Sequence, residues 1–535
     1  MHHALCIAEI LENILVSLSD HQSLARLART CRAFTESSLD ALWRDQTTLV
    51  NFFTLLPSDC WEIEGSFYAG WHRLRLVLRR TPQPEDWVIH SKYRARVRFL
   101  DLIDTTLAMV PSEVFDALAL AFPGGTVFPN LVHLSWTSDP SRPPMLYHLS
   151  LLASPSVTSI IFSMHDSAAR LGASMALITE TFDIPKLKTV KLFYDATSSY
   201  IAQPETHAFA QRLSRIQTLS LPAVNQATLA YIATLPDLAH LDLFDDDDAR
   251  PSFSPISTGS LPFPTLTHLD LKHTTLDVAM GLFSAVRSWR LQEIVVGYTP
   301  LASETSTAEL YRCIATRCEP DILVTLRIAR PVGGEIDAEQ PELVMDGHAA
   351  STFGGLINFK HLTVVVLETP AGFIIDDIAV WRLACSWPRL TYLRLCTATT
   401  VQVAPKTSID ALRAFAIHCK HLRGLALAFD ATRVPSFIDY RDQHATLPLI
   451  IALDVMYSPV GAPGPVARFL SGLFPHLKGI EVLGQWRWET DDSEAFGEEE
   501  EAQREAFGRW QEVLDRLVDI HAAREEERYL AGVAT

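Results

Sequence analysis

Residues 263–271 read Phe-Pro-Thr-Leu-Thr-His-Leu-Asp-Leu, and the chain rewrites this nonapeptide along most of its length. Residues 128–136 read FPNLVHLSW, 235–243 read LPDLAHLDL, 387–395 read WPRLTYLRL and 474–482 read FPHLKGIEV. The unit is a bulky residue, Pro, one variable residue, then Leu-x-x-Leu-x-Leu. Its first leucine-type position recurs at Val97, Leu131, Val157, Leu187, Ile216, Leu238, Leu266, Leu291, Leu323, Leu362, Leu390, Leu422, Ile450 and Leu477. The intervals run from 22 to 39 residues around a centre near 29. Periods of this size imply a solenoid whose units pack only on their neighbours.

Side-chain alternation assigns the parts of each unit. In residues 267–272 the two leucines point into the solenoid, and His268, Asp270 and Lys272 point outward. The Pro ends the preceding segment and sets the approach to the strand. Most intervals leave room for one helix, as at residues 226–235, 275–288, 376–386 and 408–419. One strand and one helix per unit gives a right-handed coil of α/β units. The long interval from Leu323 to Leu362 contains Pro331-Val332-Gly333-Gly334 and Asp346-Gly347, which predicts an excursion loop.

At the N-terminus, Ile7, Ile10, Leu11, Ile14, Leu15 and Leu18 follow the spacing of one helix face. Asp20 or Ser23 can cap a second helix, in which Leu24, Leu27, Ala28 and Cys31 continue the apolar face. Phe34, Leu39, Leu42 and Trp43 belong to a third. Three short helices in about 45 residues bury little core alone, so this module is expected to lean on a partner or on the next domain. Residues 48–56 and 68–80 are expected to form further helices, and Pro82-Gln83-Pro84 reads as a break after them. Trp61, Trp71 and Trp87 are expected in the core of that junction.

The first 45 residues resemble an F-box, on Ile7-Ala8-Glu9-Ile10-Leu11, Ile14, Leu18, Ser23-Leu24, Leu27-Ala28, Cys31, Phe34 and Leu42-Trp43. Ala8 stands where the family usually has Pro, and Phe34 where it often has Trp. With Leu55-Leu56-Pro57-Ser58-Asp59-Cys60-Trp61, the region resembles F-box proteins of mushroom-forming fungi. The array resembles the leucine-rich repeats of F-box proteins, although Thr274, Asp246, Ala398 and Asp430 occupy the place of the usual Asn. The resemblance implies that the module docks a Skp-type linker and through it a cullin ubiquitin ligase, while the array binds a client protein. The residues it points to for the linker are Ile7, Ile10, Leu11, Ile14, Leu24, Leu27, Cys31, Phe34, Leu42 and Trp43. The alternative is a repeat scaffold with a degenerate F-box and no ligase role.

The outward positions of successive strands carry mixed chemistry: Ser135, Lys191, Ser220, Asp242, Asp270, Arg327, Arg394, Asp454 and Glu481. Asp242 and Asp270, with Asp245 to Asp248, form a candidate acidic surface for a client with a basic segment; a solvated charge run is the simpler reading. His268, Lys272 and Arg394 are further client-binding candidates. Near the C-terminus, Trp486, Trp488 and Glu498 to Glu501 precede a helix face of Phe507, Trp510, Leu514, Leu517 and His521. This predicts an amphipathic helix closing the last repeat.

The expected fold is therefore α/β: a three-helix F-box module, then an irregular leucine-rich-repeat solenoid with a C-terminal capping helix. The boundaries fall at residues 1–47 for the module, 48–93 for a helical linker, 94–484 for the array and 485–535 for the acidic end. The 535 residues carry a net charge of −18, which disfavours nucleic acid and anionic membrane as partners. Eight scattered cysteines suggest reduced thiols, and no apolar run approaches a membrane span. A soluble cytoplasmic or nuclear protein is expected. No phosphate loop, GxGxxG, HExxH or GxSxG occurs. Cys313 with Cys318, and His418-Cys419-Lys420-His421, lack a partner pair for zinc. Neither an enzyme, a cofactor nor a metal site is expected.

Overall fold

The computed structural model describes residues 8–18, 20–68, 71–103, 108–109, 112–137, 148–164, 168–194, 203–222, 224–244, 253–256, 261–298, 304–329, 348–369, 372–397, 405–435, 450–482 and 498–533. The fold is mixed α/β, with an N-terminal helical module followed by a repeat of parallel strands. Helix α1 spans Ala8–Val16, α2 His21–Ala28 and α3 Arg32–Arg44. Asp20 caps α2, accepting hydrogen bonds from the Gln22 and Ser23 amides at 3.0 and 2.9 Å. Those amides lack intrahelical partners, which is why a short acidic residue suits the site. Leu11, Leu15 and Leu24 form the core of the module, with Leu27, Phe34, Ala41 and Leu42 packed against it.

Helix α3 leads directly into the strand Asp45–Gln46, which pairs in parallel with Phe99–Ile103. The Arg98 amide donates to the Arg44 carbonyl at 2.9 Å, extending the ladder toward the helix. Arg96 donates to the Glu36 and Asp40 carboxylates of α3, fastening the helix to the first repeat. Between these segments the chain departs from expectation. Residues 61–78 form an antiparallel hairpin, Trp61–Tyr68 with Trp71–Leu78, where a helix was expected over residues 68–80. The sequence there alternates Arg73, Leu74, Arg75 and Leu76, a period of two that belongs to strands. Leu76 is buried and Arg75 exposed, in keeping with that alternation. The helix expected over residues 48–56 is reduced to the turn Val50–Phe53. Trp87 is buried as expected, 5.7 Å from Phe53 and 4.7 Å from the His90 ring. Trp61 is half-buried and donates to the Leu56 carbonyl; the Trp71 side chain lies outside the described residues.

Two compact units divide the chain, residues 1–249 with 257–265 and residues 250–256 with 266–535. In the first, the strands Phe99–Ile103, His133–Thr137, Ser159–Met164, Thr189–Tyr194, Thr218–Pro222 and His240–Phe244 pair in parallel, each with the next. In the second, the order is His268–Thr274, Glu293–Tyr298, Thr325–Ala329, Val364–Thr369, Tyr392–Thr397, Gly424–Leu427, Ala452–Asp454 and Gly479–Glu481. All fourteen anchor positions read from the sequence are at most 3% exposed. Burying each such leucine side chain is worth about 1.5–3 kcal/mol, and the repeat sums these between neighbours.

The nonapeptide at 263–271 shows how one repeat is built. Leu266, Leu269 and Leu271 are buried. Phe263 takes a φ of 53°, a left-handed conformation unusual for an aromatic residue, and its amide donates to the Ala233 carbonyl at 2.8 Å. The helix expected over residues 275–288 is Leu276–Ala285, capped by Thr275. Those expected over 226–235 and 376–386 are Gln226–Ile232, capped by Asn225, and Asp377–Ser386, capped by Asp376. That over 408–419 begins as a 3-10 turn and continues as Leu412–His418.

The terminal helix Glu498–Val533 lies against Pro463–Leu473. Trp510, Val513 and Leu517 are buried, and the Trp510 indole donates to the Ser458 carbonyl at 2.8 Å. Phe507, Leu514 and His521 are half-buried on the same side, so the expected apolar face exists. Asp245 to Asp248, the Pro331 to Gly334 segment, Asp346-Gly347, Trp486 and Trp488 lie outside the described residues.

Candidate functional site

Helix α1 carries two apolar stripes, offset by one residue. Leu11 and Leu15 turn inward at 5% and 1% exposure, while Ile10 and Ile14 stand at 39% and 42%. Leu18, just beyond the helix, is 38% exposed. Positions i and i+4 share a helix face, so Ile10 and Ile14 form one ridge and Leu11 and Leu15 the next. Both stripes satisfy the same sequence spacing; only the packing of α2 and α3 decides which is core. Covering the remaining exposed surface of the three outer residues is worth roughly 1 kcal/mol each.

The residues named for linker docking therefore separate by position. Leu11 and Leu24 are internal core. Leu27, Phe34 and Leu42 are half-buried against that core, and Cys31 is the half-buried residue preceding α3. Trp43 is buried with its ring 4.8 Å from Tyr93, outside the three-helix core. Ile7 lies outside the described residues. Leu18, which belongs to the F-box-like pattern but was not singled out for docking, joins Ile10 and Ile14 on the exposed side.

Within each unit, the middle outward position of successive strands falls into a row. In the first unit the row is Asp101, Ser135, Ile161, Lys191, Ser220 and Asp242. Lys191 reaches across the buried Ser220 to Asp242, at 3.4 Å. In the second unit the row runs from Asp270 through Val295, Arg327, Val366, Arg394 and Ala426 to Asp454 and Glu481. Arg394 reaches over the small Ala426 to Asp454 at 2.8 Å, and its Nε donates to Glu368 at 2.9 Å. The same construction appears in both units: a long cation bridges an alternate strand across a small residue. Burial pushes the Asp454 carboxyl up, against the pull of Arg394.

Asp242 and Arg394 are thus engaged in ion pairs that tie strands together. Asp270 pairs with Lys272 at 3.2 Å, and His268 stands 3.7 Å from the Glu293 carboxylate. Asp242 and Asp270 belong to different units, and each has a cation beside it. His133 accepts or donates at Ser159 Oγ over 2.8 Å, and burial lowers its pKa while Asp101 opposes the change.

Among the described residues, no group of three His, Cys, Asp or Glu side chains is placed to hold a metal ion. The Cys318 and Cys419 thiols are pushed up to about 12 by burial, so neither provides a ready thiolate. Cys419 lies 3.4 Å from the Trp387 carbonyl, a packing role rather than ligation. No helix among the described residues is long and apolar enough to cross a membrane.

The F-box-like family matches residues 8–48, so this segment is an F-box-like domain. No curated protein matches the chain. Among solved structures, the leucine-rich repeat-containing protein LegL7 from Legionella pneumophila is similar at 12% identity and a TM-score of 0.30. That likeness covers 72% of this chain and 98% of the other. The chain thus joins an F-box-like module to a solenoid-like repeat of parallel strands, an architecture that supports a role in protein interaction.

Proposed function

We propose that the chain is a non-catalytic substrate adaptor of a Skp-cullin-F-box ubiquitin ligase. The F-box-like domain would dock the Skp-type linker, and the array would hold a client protein. The observation that carries this reading is the exposed ridge of Ile10, Ile14 and Leu18 on a matched F-box-like domain. An exposed aliphatic ridge beside an already satisfied core is suited to a partner's apolar groove. Leu11, Leu24, Leu27, Phe34 and Leu42 shape the module behind it.

For the client, the strand row offers His268, Asp270 and Lys272 as a mixed polar surface. Within the second unit Arg394 contributes to that face by holding strands in register, and Asp242 does the same for the row of the first unit. The direct test replaces Ile10 and Ile14 by Asp in the full chain and measures copurification of the Skp-type linker. Both side chains are outside the core, so the variant is expected to fold and to lose the linker at least tenfold. Undiminished copurification by the folded variant would instead favour a scaffold with a degenerate F-box, for which Ala8 and Phe34 are the sequence support.

A further inference from the structure

We infer that the second unit carries a recognition edge for a short acidic peptide segment, formed by the turns that precede its later strands. Four of these turns have the same build. Phe359-Lys360-His361-Leu362, Trp387-Pro388-Arg389-Leu390, Cys419-Lys420-His421-Leu422 and Phe474-Pro475-His476-Leu477 each close with the leucine amide donating to the first residue's carbonyl. The distances are 3.4, 3.2, 3.1 and 3.1 Å. Equal turns on hydrogen-bonded parallel strands place their middle residues along one edge. Those residues are basic or imidazole-bearing wherever they are not Pro, and Arg423 and Lys478 follow on the same edge.

The Arg423 amide donates to the Thr391 carbonyl and the Lys478 amide to the Ile451 carbonyl, which fixes them in the strand ladder. Lys360, Arg389, Lys420, Arg423 and Lys478 are all exposed. None of the five is paired with a carboxylate among the described residues, and Arg389 instead contacts the His361 ring nitrogen at 2.9 Å. No Asp or Glu occurs within residues 356–366, 386–394, 418–426 or 473–479. The corresponding turns of the first unit mix their signs: Lys186 pairs with Asp183, and Arg215 with Asp237. Five unneutralised cations on one edge are unexpected in a chain of net charge −18.

The five span four strand spacings, about 19 Å, which an extended segment of about six residues covers. Screening confines the chain's overall negative field to roughly 8 Å at physiological salt, so a short acidic segment meets the local cations. A long nucleic acid or an anionic bilayer, by contrast, brings many charges against the acidic remainder of the molecule. Carboxylates or phosphoryl groups on a peptide are therefore the fitting chemistry. This surface belongs to the second unit and the F-box-like domain to the first, and peptide binding requires no ligase.

The test is fluorescence anisotropy of the full chain with a labelled peptide of six consecutive glutamates, against the matching glutamine peptide. The glutamate peptide alone is expected to bind, weakening at least fivefold between 50 and 200 mM salt as charge pairing requires. Lys420→Glu, Arg423→Glu and Lys478→Glu together are expected to lower affinity at least tenfold. Lys188→Glu, Arg212→Glu and Arg287→Glu, with the same change in net charge, are expected to alter it less than twofold. The milder Lys420→Gln, Arg423→Gln and Lys478→Gln set is expected to fall between, which separates charge from misfolding. Absent binding, or equal losses in the two reversed sets, would overturn the inference. So would tighter binding of a single-stranded oligonucleotide of equal charge. Skp-linker copurification by the first set is expected to be unchanged, keeping this outcome distinct from that of the adaptor reading.

Discussion

Arg394 occupies a position where the outward alternation suggested recognition, and its guanidinium is held between Glu368 and Asp454. Removing it leaves Asp454 buried without its cation, a change that costs about 3 kcal/mol when a buried pair is broken. Arg394→Gln is accordingly expected to lower unfolding stability by about that amount in urea titration. A residue engaged solely with a client would leave the midpoint unchanged. Asp86 supplies a second, pH-dependent case. Arg80 at 2.7 Å and the Gln83 amide at 2.8 Å hold its carboxyl down at about 2. A depressed carboxyl stabilises the fold above its unfolded value, near 3.8, and that contribution disappears as pH falls toward 2. Asp86→Asn is expected to flatten the stability profile in this acidic window and to leave its shape above pH 5 unaltered. Neither contact was legible in the sequence, since each depends on which strand or turn lies alongside.

At the scale of elements, the sequence was most informative where burial repeats. The leucine anchors were readable because period-two alternation and a recurring Pro agree, and the anchors are buried throughout. The hairpin at Trp61–Tyr68 and Trp71–Leu78 was misread because its leucines also fit a helical spacing over a short window. In α1 two stripes matched one pattern, and the assignment of Leu11 inward and Ile10 outward came from tertiary packing. The terminal helix was legible from Trp510 and Leu517, although its partner helix was not. Trp510→Ala removes a buried ring and strands the Ser458 carbonyl, an expected loss of about 3–5 kcal/mol. Calorimetry of the full chain checks it, with Val518→Ala as the control because Val518 is 58% exposed.

Across the whole molecule, nearest-neighbour packing predicts that damage stays near its origin. Hydrogen exchange in the Trp510→Ala chain is expected to quicken in residues 450–482 and to remain unchanged in residues 8–44. Uniform acceleration through both would contradict a repeat whose coupling runs between neighbours. The charge balance is likewise local: a net −18 coexists with the cationic turns of the second unit, so bulk composition is a poor guide to partners. The junction between α3 and the strand Asp45–Gln46 has a consequence for engineering. A docking module joined by a loose tether is a cassette that can be cut away or transplanted. Here the strand that continues directly from its last helix supplies the end rung of the first unit's sheet. Excising residues 1–47 would bare the flank of Phe99–Ile103, and an open strand flank invites self-association. The headless chain would be a precipitant rather than a clean loss-of-docking control, so point substitutions on the outer ridge are the sound way to silence it.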